Sequence, residues 1–353
     1  MPAPSPTLTT VGCHRIAYEA ACHELTAYLT FDRALNVPIL YVREKPLSES
    51  RLSFCFQRKI MVTQTQFEGK DVFARTFDAD EESLGAISER LEARGRHVFF
   101  AQVIGHYMDA LLLSRNESIL DLGCGTGVIA RALTKRCDVK GRITAIDISP
   151  RLIEVARCLA SDEGVADRID FLVGDAHSIV EPQGRFDVVI MHTLLSHVVD
   201  PAAVLHEAYR LLRPGGRIVV FDGDFESLTF ATDAPDGGAE TDRLLGVSGH
   251  VQGRVMRLMP QLLTQTGFRL EWSRAYVAAD IGRADFWASS VPTFRTLLPK
   301  SGVMSYPDAN DYADKLERAS ARNEFFASCN FYTNIGRRTE SRECDDSAQN
   351  LIK

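Results

Sequence analysis

The stretch Ser118-Ile-Leu-Asp-Leu-Gly-Cys-Gly-Thr-Gly127 decides how the middle of this chain folds. Its first five residues are an apolar run that turn residues follow, which predicts a short buried strand. The three glycines that come next allow the backbone to turn sharply and to approach a ligand, because glycine has no Cβ. A helix is expected from Val128 to Arg136, with its free N–H groups facing whatever lies over the turn. The stretch therefore predicts a small-molecule cradle at the end of a strand.

Two classes of ligand fit a glycine-rich turn of this kind. Residues 125–130, Gly-Thr-Gly-Val-Ile-Ala, match the dinucleotide pattern G-x-G-x-x-G/A, and Asp147 lies about 20 residues further on, where that pattern has an acidic residue. Asp121 favours another ligand, because a carboxylate beside the turn repels a pyrophosphate and attracts an ammonium or a sulfonium group. The alternative for Asp121 is an aspartate that only caps a turn or a helix.

The string Leu120-Asp-Leu-Gly-Cys-Gly-Thr-Gly127 closely resembles motif I of the class I methyltransferases that depend on S-adenosylmethionine (SAM). The resemblance covers about residues 80–337 and is specific between Ile119 and Phe221. It implies a Rossmann-like sheet of seven mostly parallel strands, doubly wound, that ends in an antiparallel hairpin. It also implies a set of SAM-binding residues. These are Asp121, Gly123, Gly125, Thr126, Gly127, Asp147, Ile148, Asp175, Ala176 and His192.

The pattern of apolar residues supports an α/β fold independently of the resemblance. Two helices are expected between residues 79 and 112, and strands then alternate with helices. The expected strands are residues 118–122, 142–148, 169–173, 186–191, 217–222, 268–277 and 324–335. Such alternation predicts a parallel sheet with helices on both faces, and ligands bind beyond the carboxyl ends of its strands. Residues 223–252 break the rhythm and are expected to form a long loop, and residues 285–298 a helix.

Two acidic residues follow the second and third predicted strands. A carboxylate at Asp147 can accept hydrogen bonds from two ribose hydroxyls, which both NAD and SAM carry. In the resembling family, an acidic residue at the position of Asp175 accepts from the adenine amino group. Ile148 and Ala176 are then expected to sandwich the adenine ring. The alternative for Asp175 is an N-cap for a short helix at His177.

The segment Met191-His-Thr-Leu-Leu-Ser-His197 follows the fourth predicted strand. In the resembling family this segment faces the methionine part of SAM and the acceptor. Methyl transfer gains much of its rate from alignment, and it needs a base only if the acceptor keeps its proton. His192 and His197 are the candidate catalytic bases, and the alternative for each is a packed or capping histidine. Their spacing does not suit a metal pair on a helix, and no metal is expected.

Further polar residues are expected on the substrate side of the sheet. They are Asp222, Asp224, Glu226, His250, Arg254 and Arg257. The carboxylates follow the fifth predicted strand, where one of them would contact the acceptor or simply be solvated. The two arginines would bind an acidic substrate or pair with neighbouring Glu or Asp side chains.

The composition limits the classes of protein to which this chain can belong. The 353 residues are 45% hydrophobic and 25% charged, with a net charge of -7, which is ordinary for a soluble globular protein and disfavours nonspecific nucleic-acid binding. No apolar run approaches about 18 residues, so no transmembrane helix is expected. No secretory signal is visible and none of the eight cysteines forms a C-x-x-C pair, so a cytoplasmic protein with free thiols is expected.

Three segments are expected along the chain. Residues 1–78 form an N-terminal extension, either a cap or an arm through which a homodimer assembles, with a short helix at 14–27 and strands at 39–43 and 52–57. Residues 79–337 form the SAM-binding domain, in which 223–322 supply the substrate side, and residues 338–353 form a flexible tail. The expected function is methyl transfer from SAM to a small-molecule acceptor, similar to the ubiquinone- and menaquinone-biosynthesis enzymes or to those of secondary metabolism.

Two alternatives remain open at this stage. A methyltransferase-like protein that binds SAM without catalysis has the same motifs. An NAD-linked oxidoreductase fits the glycine pattern, but Asp121 and the Gly174-Asp-Ala176 step disfavour it. The sequence does not identify the acceptor or the atom that is methylated.

Overall fold

The computed structural model describes residues 15–20, 23–32, 37–44, 59–61, 71–136, 138–248 and 250–339. The chain divides into two compact units, Met1–Glu68 and Gly69–Lys353. The second unit thus begins before residue 79, where the sequence placed the start of the SAM-binding domain. None of the helices in the described ranges has the length and apolarity needed to traverse a lipid bilayer.

The first unit contains an antiparallel sheet of four strands in the order β1-β2-β3-β4. Their bounds are β1 Arg15–Ala20, β2 His23–Asp32, β3 Val37–Glu44 and β4 Lys59–Met61. The helix predicted at residues 14–27 is wrong, because these residues form most of the β1–β2 hairpin. Their apolar residues alternate with period two, as in Leu25, Ala27 and Leu29, which is the pattern of a strand. The strand predicted at 39–43 is confirmed, and the one at 52–57 lies outside the described residues.

The second unit is an α/β structure built on a sheet of seven strands. The strands are β5 Ile119–Leu122, β6 Ile143–Asp147, β7 Ile169–Val173, β8 Phe186–His192, β9 Leu212–Phe230, β10 Phe268–Gly282 and β11 Phe325–Arg338. The helices are α1 Glu81–Arg96, α2 Val98–Leu111, α3 Val128–Thr134, α4 Pro150–Asp162, α5 Pro201–Leu211, α6 Ala239–Ser248, α7 Val255–Gln265, α8 Phe294–Lys300 and α9 Tyr306–Ala321.

The strand order is β10-β11-β9-β8-β5-β6-β7. Strands β9, β8, β5, β6 and β7 run parallel to one another, whereas β11 is antiparallel to both β9 and β10. The predicted seven-stranded, mostly parallel sheet with a final antiparallel hairpin is therefore confirmed. The order reverses beside β5, which places the glycine turn after β5 at the position where doubly wound sheets bind their ligands.

Helices begin where the sequence supplies capping side chains. The side chains of Asp80, Ser149, Asp200 and Ser305 accept hydrogen bonds from the first turns of α1, α4, α5 and α9. These caps satisfy backbone N–H groups that have no partner inside the helix.

The central strands are buried on both faces, as their continuous apolar sequences require. Every residue of β5 and β6 is buried. One face packs against α2, α3 and α4 through residues such as Tyr107, Ile129 and Ile153. The other packs against α5 and α7 through residues such as Leu205 and Met259.

Two predicted segments are wrong. Residues 223–230 are not loop but continue β9, because Phe225 and Phe230 are buried and the strand pairs with β11 as far as Phe230. The region predicted as loop also contains α6. The helix predicted at 285–298 is split into a 3₁₀ turn, Phe286–Ser289, and α8, and Pro292 lies between the two.

Replacement of Gly127 by alanine is expected to destabilise the second unit by about 1–3 kcal/mol. The residue has a φ of 78°, and a Cβ there would lie 2.9 Å from the Phe171 ring and 3.3 Å from Ala156 Cβ. The matched control is Gly85→Ala in α1, where a Cβ would meet nothing within 4 Å and the substitution should stabilise by about 0.5–1 kcal/mol. Urea unfolding of both variants measures the difference, and equal effects would contradict the prediction.

Candidate active site

The glycine turn after β5 is hydrogen-bonded to the carboxyl end of β6. The N–H groups of Gly123 and Cys124 both donate to the carbonyl of Ile146, at 2.8 and 3.0 Å. All three glycines of the turn have positive φ, 75° at Gly123, 53° at Gly125 and 78° at Gly127, which L-residues rarely adopt. The backbone therefore forms a rigid concave turn directly before the first N–H groups of α3.

Asp147 ends β6 and reaches this turn. Its carboxylate is 8% exposed and accepts hydrogen bonds from Gly125 N at 2.8 Å and Ser149 N at 2.9 Å. Burial raises the pKa of Asp147, while the backbone hydrogen bonds oppose the shift. The carboxylate thus lies where the sequence predicts ribose contacts, and that role stays a prediction.

Asp121 lies in β5 below the turn and is almost completely buried, with 1% of the residue exposed. Oδ2 accepts from Ala130 N in the first turn of α3 at 3.1 Å. Capping of the helix therefore accounts for one of the two carboxylate oxygens of Asp121. Oδ1 receives no hydrogen bond from the described residues. Burial raises the pKa of Asp121 to about 7, and the nearby Asp147 adds to the shift. A cationic ligand group at this position would stabilise the carboxylate.

Thr126 connects the turn to α1. Its hydroxyl donates to Glu92 Oε1 at 2.6 Å, and Arg131 donates both to Glu92 Oε2 at 2.7 Å and to the Thr126 carbonyl at 2.6 Å. The hydroxyl of this predicted SAM-binding residue is therefore used in a link between α1 and α3. Sequence reasoning missed Glu92 because it lies 34 positions away and belongs to no local motif.

The predicted adenine site lies after β6 and β7. Ile148 is 39% exposed, while Ala176 is buried. Asp175 Oδ1 accepts from His177 N at 2.9 Å and lies 2.7 Å from His177 Nδ1. These contacts close a turn, and the short helix of the capping alternative does not form at His177. Burial raises the pKa of Asp175, but the hydrogen bonds and charge of His177 outweigh it and lower the value overall. The carboxylate thus favours its ionised, hydrogen-bond-accepting form.

His192 ends β8 among aromatic rings. Its ring centroid lies 4.5 Å from that of Phe221 and 5.3 Å from that of Phe100, and Nδ1 lies 3.2 Å from the Tyr107 hydroxyl. Burial lowers the pKa of His192 to about 3, and the charge of Arg94 contributes. An imidazole of such weak basicity favours the role of a packed contact over that of a general base.

His197 differs from His192 because it has a carboxylate partner. Its Nδ1 lies 2.8 Å from Asp71 Oδ2, and Asp71 also accepts from Phe73 N at 2.9 Å and Val251 N at 3.1 Å. Burial lowers the pKa of His197, but the charge and hydrogen bond of Asp71 outweigh it and raise the value overall. The carboxylate orients the ring and leaves Nε2 as the atom able to exchange a proton.

Asp71 is a functional candidate that sequence reasoning missed. It lies 126 positions before His197, inside the segment assigned from sequence to an N-terminal extension. No residue pattern around Asp71 signals the pairing. Only the packing of the chain brings the two together.

The carboxylates that follow the Ile218–Phe221 part of β9 all form hydrogen bonds or ion pairs with neighbouring residues. Asp222 is fully buried and accepts from Ser196 N at 2.9 Å, Ser196 Oγ at 3.0 Å and Gly223 N at 2.8 Å. Burial raises its pKa. Asp224 pairs with Arg257 of α7, and Glu226 pairs with Arg254, which directly precedes that helix. The distances are 2.8 Å for Arg257–Asp224 and 3.2 Å for Arg254–Glu226, so these arginines bind acidic neighbours.

His250 completes the polar group around His197. Its ring stacks on Phe225, with centroids 3.6 Å apart and planes at 5°, and lies 5.3 Å from the ring of His197. Its Nδ1 is buried and has no hydrogen-bond partner among the described residues. Within the described residues, no three His, Cys, Asp or Glu side chains are arranged to hold a metal ion.

The chain is similar to known methyltransferases. Residues 119–216 match the family model of the methyltransferase domain. The ubiquinone biosynthesis O-methyltransferase of Xanthomonas axonopodis pv. citri is 34% identical over 113 residues, which are 32% of this chain and 45% of the relative. The ubiquinone/menaquinone biosynthesis C-methyltransferase UbiE of Hydrogenovibrio crunogenus is 33% identical over 104 residues, 30% of this chain and 41% of the relative.

One solved structure agrees in fold with the second unit. A protein of Bacillus halodurans assigned as a methyltransferase superposes with a TM-score of 0.50 at 21% identity, covering 67% of this chain and 99% of that one. The match extends well beyond residues 119–216 and so supports the arrangement of the whole sheet. In contrast, this chain spans less than half of the length of the two curated relatives.

Fold, glycine turn and family match together support a class I SAM-dependent methyltransferase domain in the second unit, with the matched residues running from β5 into β9. The resemblance inferred from Leu120–Gly127 is therefore confirmed.

Asp121→Asn tests whether this buried carboxyl is held in an unfavourable charged state. Because the folded pKa lies near 7, above the unfolded value, Asp121 favours folding fully below about pH 4 and loses that contribution as pH rises through 7. The free energy of unfolding of the wild type should therefore fall by about 2 kcal/mol more than that of Asp121→Asn between about pH 5 and pH 8. Urea titrations at both pH values measure this, and parallel pH profiles would contradict it.

Proposed function

We propose that this protein transfers a methyl group from SAM to a small organic acceptor. The observation that carries the proposal is the glycine turn with buried Asp121 and Asp147 on either side of it. Two carboxyl groups there do not suit a pyrophosphate, whose negative charge would oppose their ionisation, and this argues against NAD. They do suit a ligand with a cationic amino-acid end and a ribose.

The residues around the turn fit the parts of SAM. Asp147 would accept from the ribose hydroxyls, and Asp121 would lie near the ammonium group. The exposed side chain of Ile148 and the buried Ala176 would hold the adenine, with Asp175 accepting from its amino group. When bound, SAM supplies a methyl group on a positively charged sulfur.

His197 and Asp71 supply the base in this proposal. The carboxylate holds the imidazole in one orientation and raises its proton affinity, so neutral His197 is ready to take a proton from an acceptor hydroxyl, amine or acidic C–H through Nε2. His192, with its low pKa, would bound the space between SAM and the acceptor. The protein would therefore combine alignment of the two substrates with proton removal at one side.

The acceptor space favours a planar, aromatic molecule. The rings of Phe73, Phe225 and His250 lie around His197, and Phe73 and Phe225 are centred 5.1 and 6.3 Å from its ring. Flat apolar rings pack well against such walls. The relatives named for ubiquinone and menaquinone biosynthesis support a quinone-like acceptor, and they divide between O- and C-methyltransferases.

Calorimetric titration with S-adenosylhomocysteine, with NAD as the second ligand, tests the cofactor. We expect the first to bind and NAD not to bind. Asp147→Ala should weaken S-adenosylhomocysteine binding by at least about tenfold, because it removes an ionised hydrogen-bond acceptor. The control is Asp170→Ala in β7, whose carboxylate pairs with exposed Arg142 away from the turn. Binding of NAD alone, or equal affinities for the two variants, would refute the assignment.

Titration of the histidine rings by NMR tests the proposed base without knowledge of the acceptor. Asp71→Asn should lower the pKa of His197, because it removes the neighbouring anion. Since the base works only when neutral, methyl transfer should rise with pH through that pKa, and the rise should move to lower pH in the variant. His197→Gln should reduce turnover and leave S-adenosylhomocysteine affinity unchanged. An unaltered pH profile in Asp71→Asn would give His197 a structural role.

A further inference from the structure

Arg90 and Arg94 lie one turn apart on α1, and both guanidinium groups lie over aromatic rings. Arg90 Cζ is 5.3 Å from the centroid of Phe73, and Arg94 Cζ is 4.5 Å from that of Phe100. Phe73 in turn contacts His197, and Phe100 lies 5.3 Å from the ring of His192. The two arginines therefore approach both histidines of the site.

Neither arginine has a protein partner in the described part of the chain. No carboxylate there lies within 4.0 Å of either, no hydrogen bond is donated by either, and Arg90 Nε is buried without an acceptor. Arg131 of α3 differs from them in having carboxylate partners, with Glu92 at 2.7 Å and Glu163 at 3.0 Å, although its buried Nε also makes no hydrogen bond. Burial lowers the pKa of Arg90 to about 9 and that of Arg94 to about 10.

The nearby carboxylates are committed to other groups. Asp71 binds His197 and three backbone N–H groups, and Asp222 binds Ser196 and Gly223. His250 offers a buried unpartnered Nδ1 in the same region. Burial lowers its pKa most, followed by the charge of His197; Asp71 opposes the shift, and Arg90 and Arg94 add to it. Arg90 and Arg94 thus lie beside the proposed base with no carboxylate of the described residues within 4.0 Å, and the charge of Asp222 only partly offsets the effect of burial on the pKa of Arg94.

Helix α1 places this pair next to the cofactor cradle. Glu92 binds the Thr126 hydroxyl, and a Cβ at Gly125 would lie 3.0 Å from Leu91 Cδ1. The residues between the two arginines therefore contact the glycine turn. A group bound by the arginines would lie beside the turn, near His197.

We propose that Arg90 and Arg94 bind an anionic oxygen group of the methyl acceptor, a carboxylate or a phosphate. The inference rests on the proposed function and adds to it that the acceptor is an acid. Guanidinium groups match such oxygens with paired N–H donors, and a buried cation without a counter-ion destabilises the free protein. The anion would anchor one end of a flat acceptor and direct the other end toward His197. SAM also carries a carboxylate, so the test separates the two sources.

Thermal unfolding of the free protein gives the first test. Arg94→Met and Arg90→Met should each raise the Tm by about 2–4 °C, because each variant removes an uncompensated charge and keeps an aliphatic stem. Arg131→Met is the matched control and should lower the Tm, because it removes the cation that Glu92 and Glu163 share. Losses in all three variants would mean that Arg90 and Arg94 are structural and would overturn the proposal.

Ligand binding to the S-adenosylhomocysteine-loaded protein gives the second test. If the acceptor group is a carboxylate, benzoate should raise the Tm of the wild type more than benzamide does. If it is a phosphate, inorganic phosphate should raise the Tm. In either case the increase should be lost in Arg94→Met. Absence of any such difference overturns the proposal.

Calorimetry with two cofactor fragments identifies which carboxylate the arginines hold. Arg94→Met should bind S-adenosylhomocysteine and 5′-methylthioadenosine, which lacks the amino-acid part, as the wild type does. If Arg94→Met weakens the first tenfold or more and spares the second, the arginines hold the cofactor carboxylate and the proposal fails. If the wild type does not bind S-adenosylhomocysteine at all, the proposed function fails, and that result is separate from the Tm response of the arginine variants.

Discussion

The hydrogen bonds from Gly123 and Cys124 to the Ile146 carbonyl are the contacts on which the site depends. They turn the end of β5 toward β6. They also select the backbone conformation with positive φ from the many that these glycines can adopt. The bond from Gly125 N to Asp147 then fixes the carboxylate against the turn. Because the turn is rigid before any ligand arrives, little conformational entropy remains to be lost on binding.

Helix α1 extends this order to the other half of the site. The link from Thr126 through Glu92 to Arg131 sets its position over the turn. Once α1 is placed, Arg90 and Arg94 come to lie on the acceptor side. One polar cluster therefore couples the cofactor cradle to the proposed acceptor pocket.

Buried charge is distributed unevenly across the second unit. Arg131 is balanced by two glutamates, whereas Asp121 has one backbone partner and Arg90 has no carboxylate of the described residues within 4.0 Å. Groups left unsatisfied in this way cost stability and are expected where a ligand completes them. In the proposed function, the carboxyl groups of Asp121 and Asp147 would face SAM and the two arginines would face the acceptor, which would give the two ends of the site opposite electrostatic character.

The sequence alone determined the sheet, the glycine turn and the candidate residues at the strand ends. These features are local, since a strand followed by glycines and an acidic residue at the next strand end are written in neighbouring positions. The prediction from sequence is wrong at the β1–β2 hairpin, where residues with an alternating apolar pattern form strands and not a helix. It is also wrong at β9, because the extension of that strand depends on pairing with β11. The tertiary structure alone decided the pairing of Asp71 with His197 and the approach of Arg90 and Arg94 to that pair, because residues so far apart in the chain share no pattern and meet only when the helices pack on the sheet.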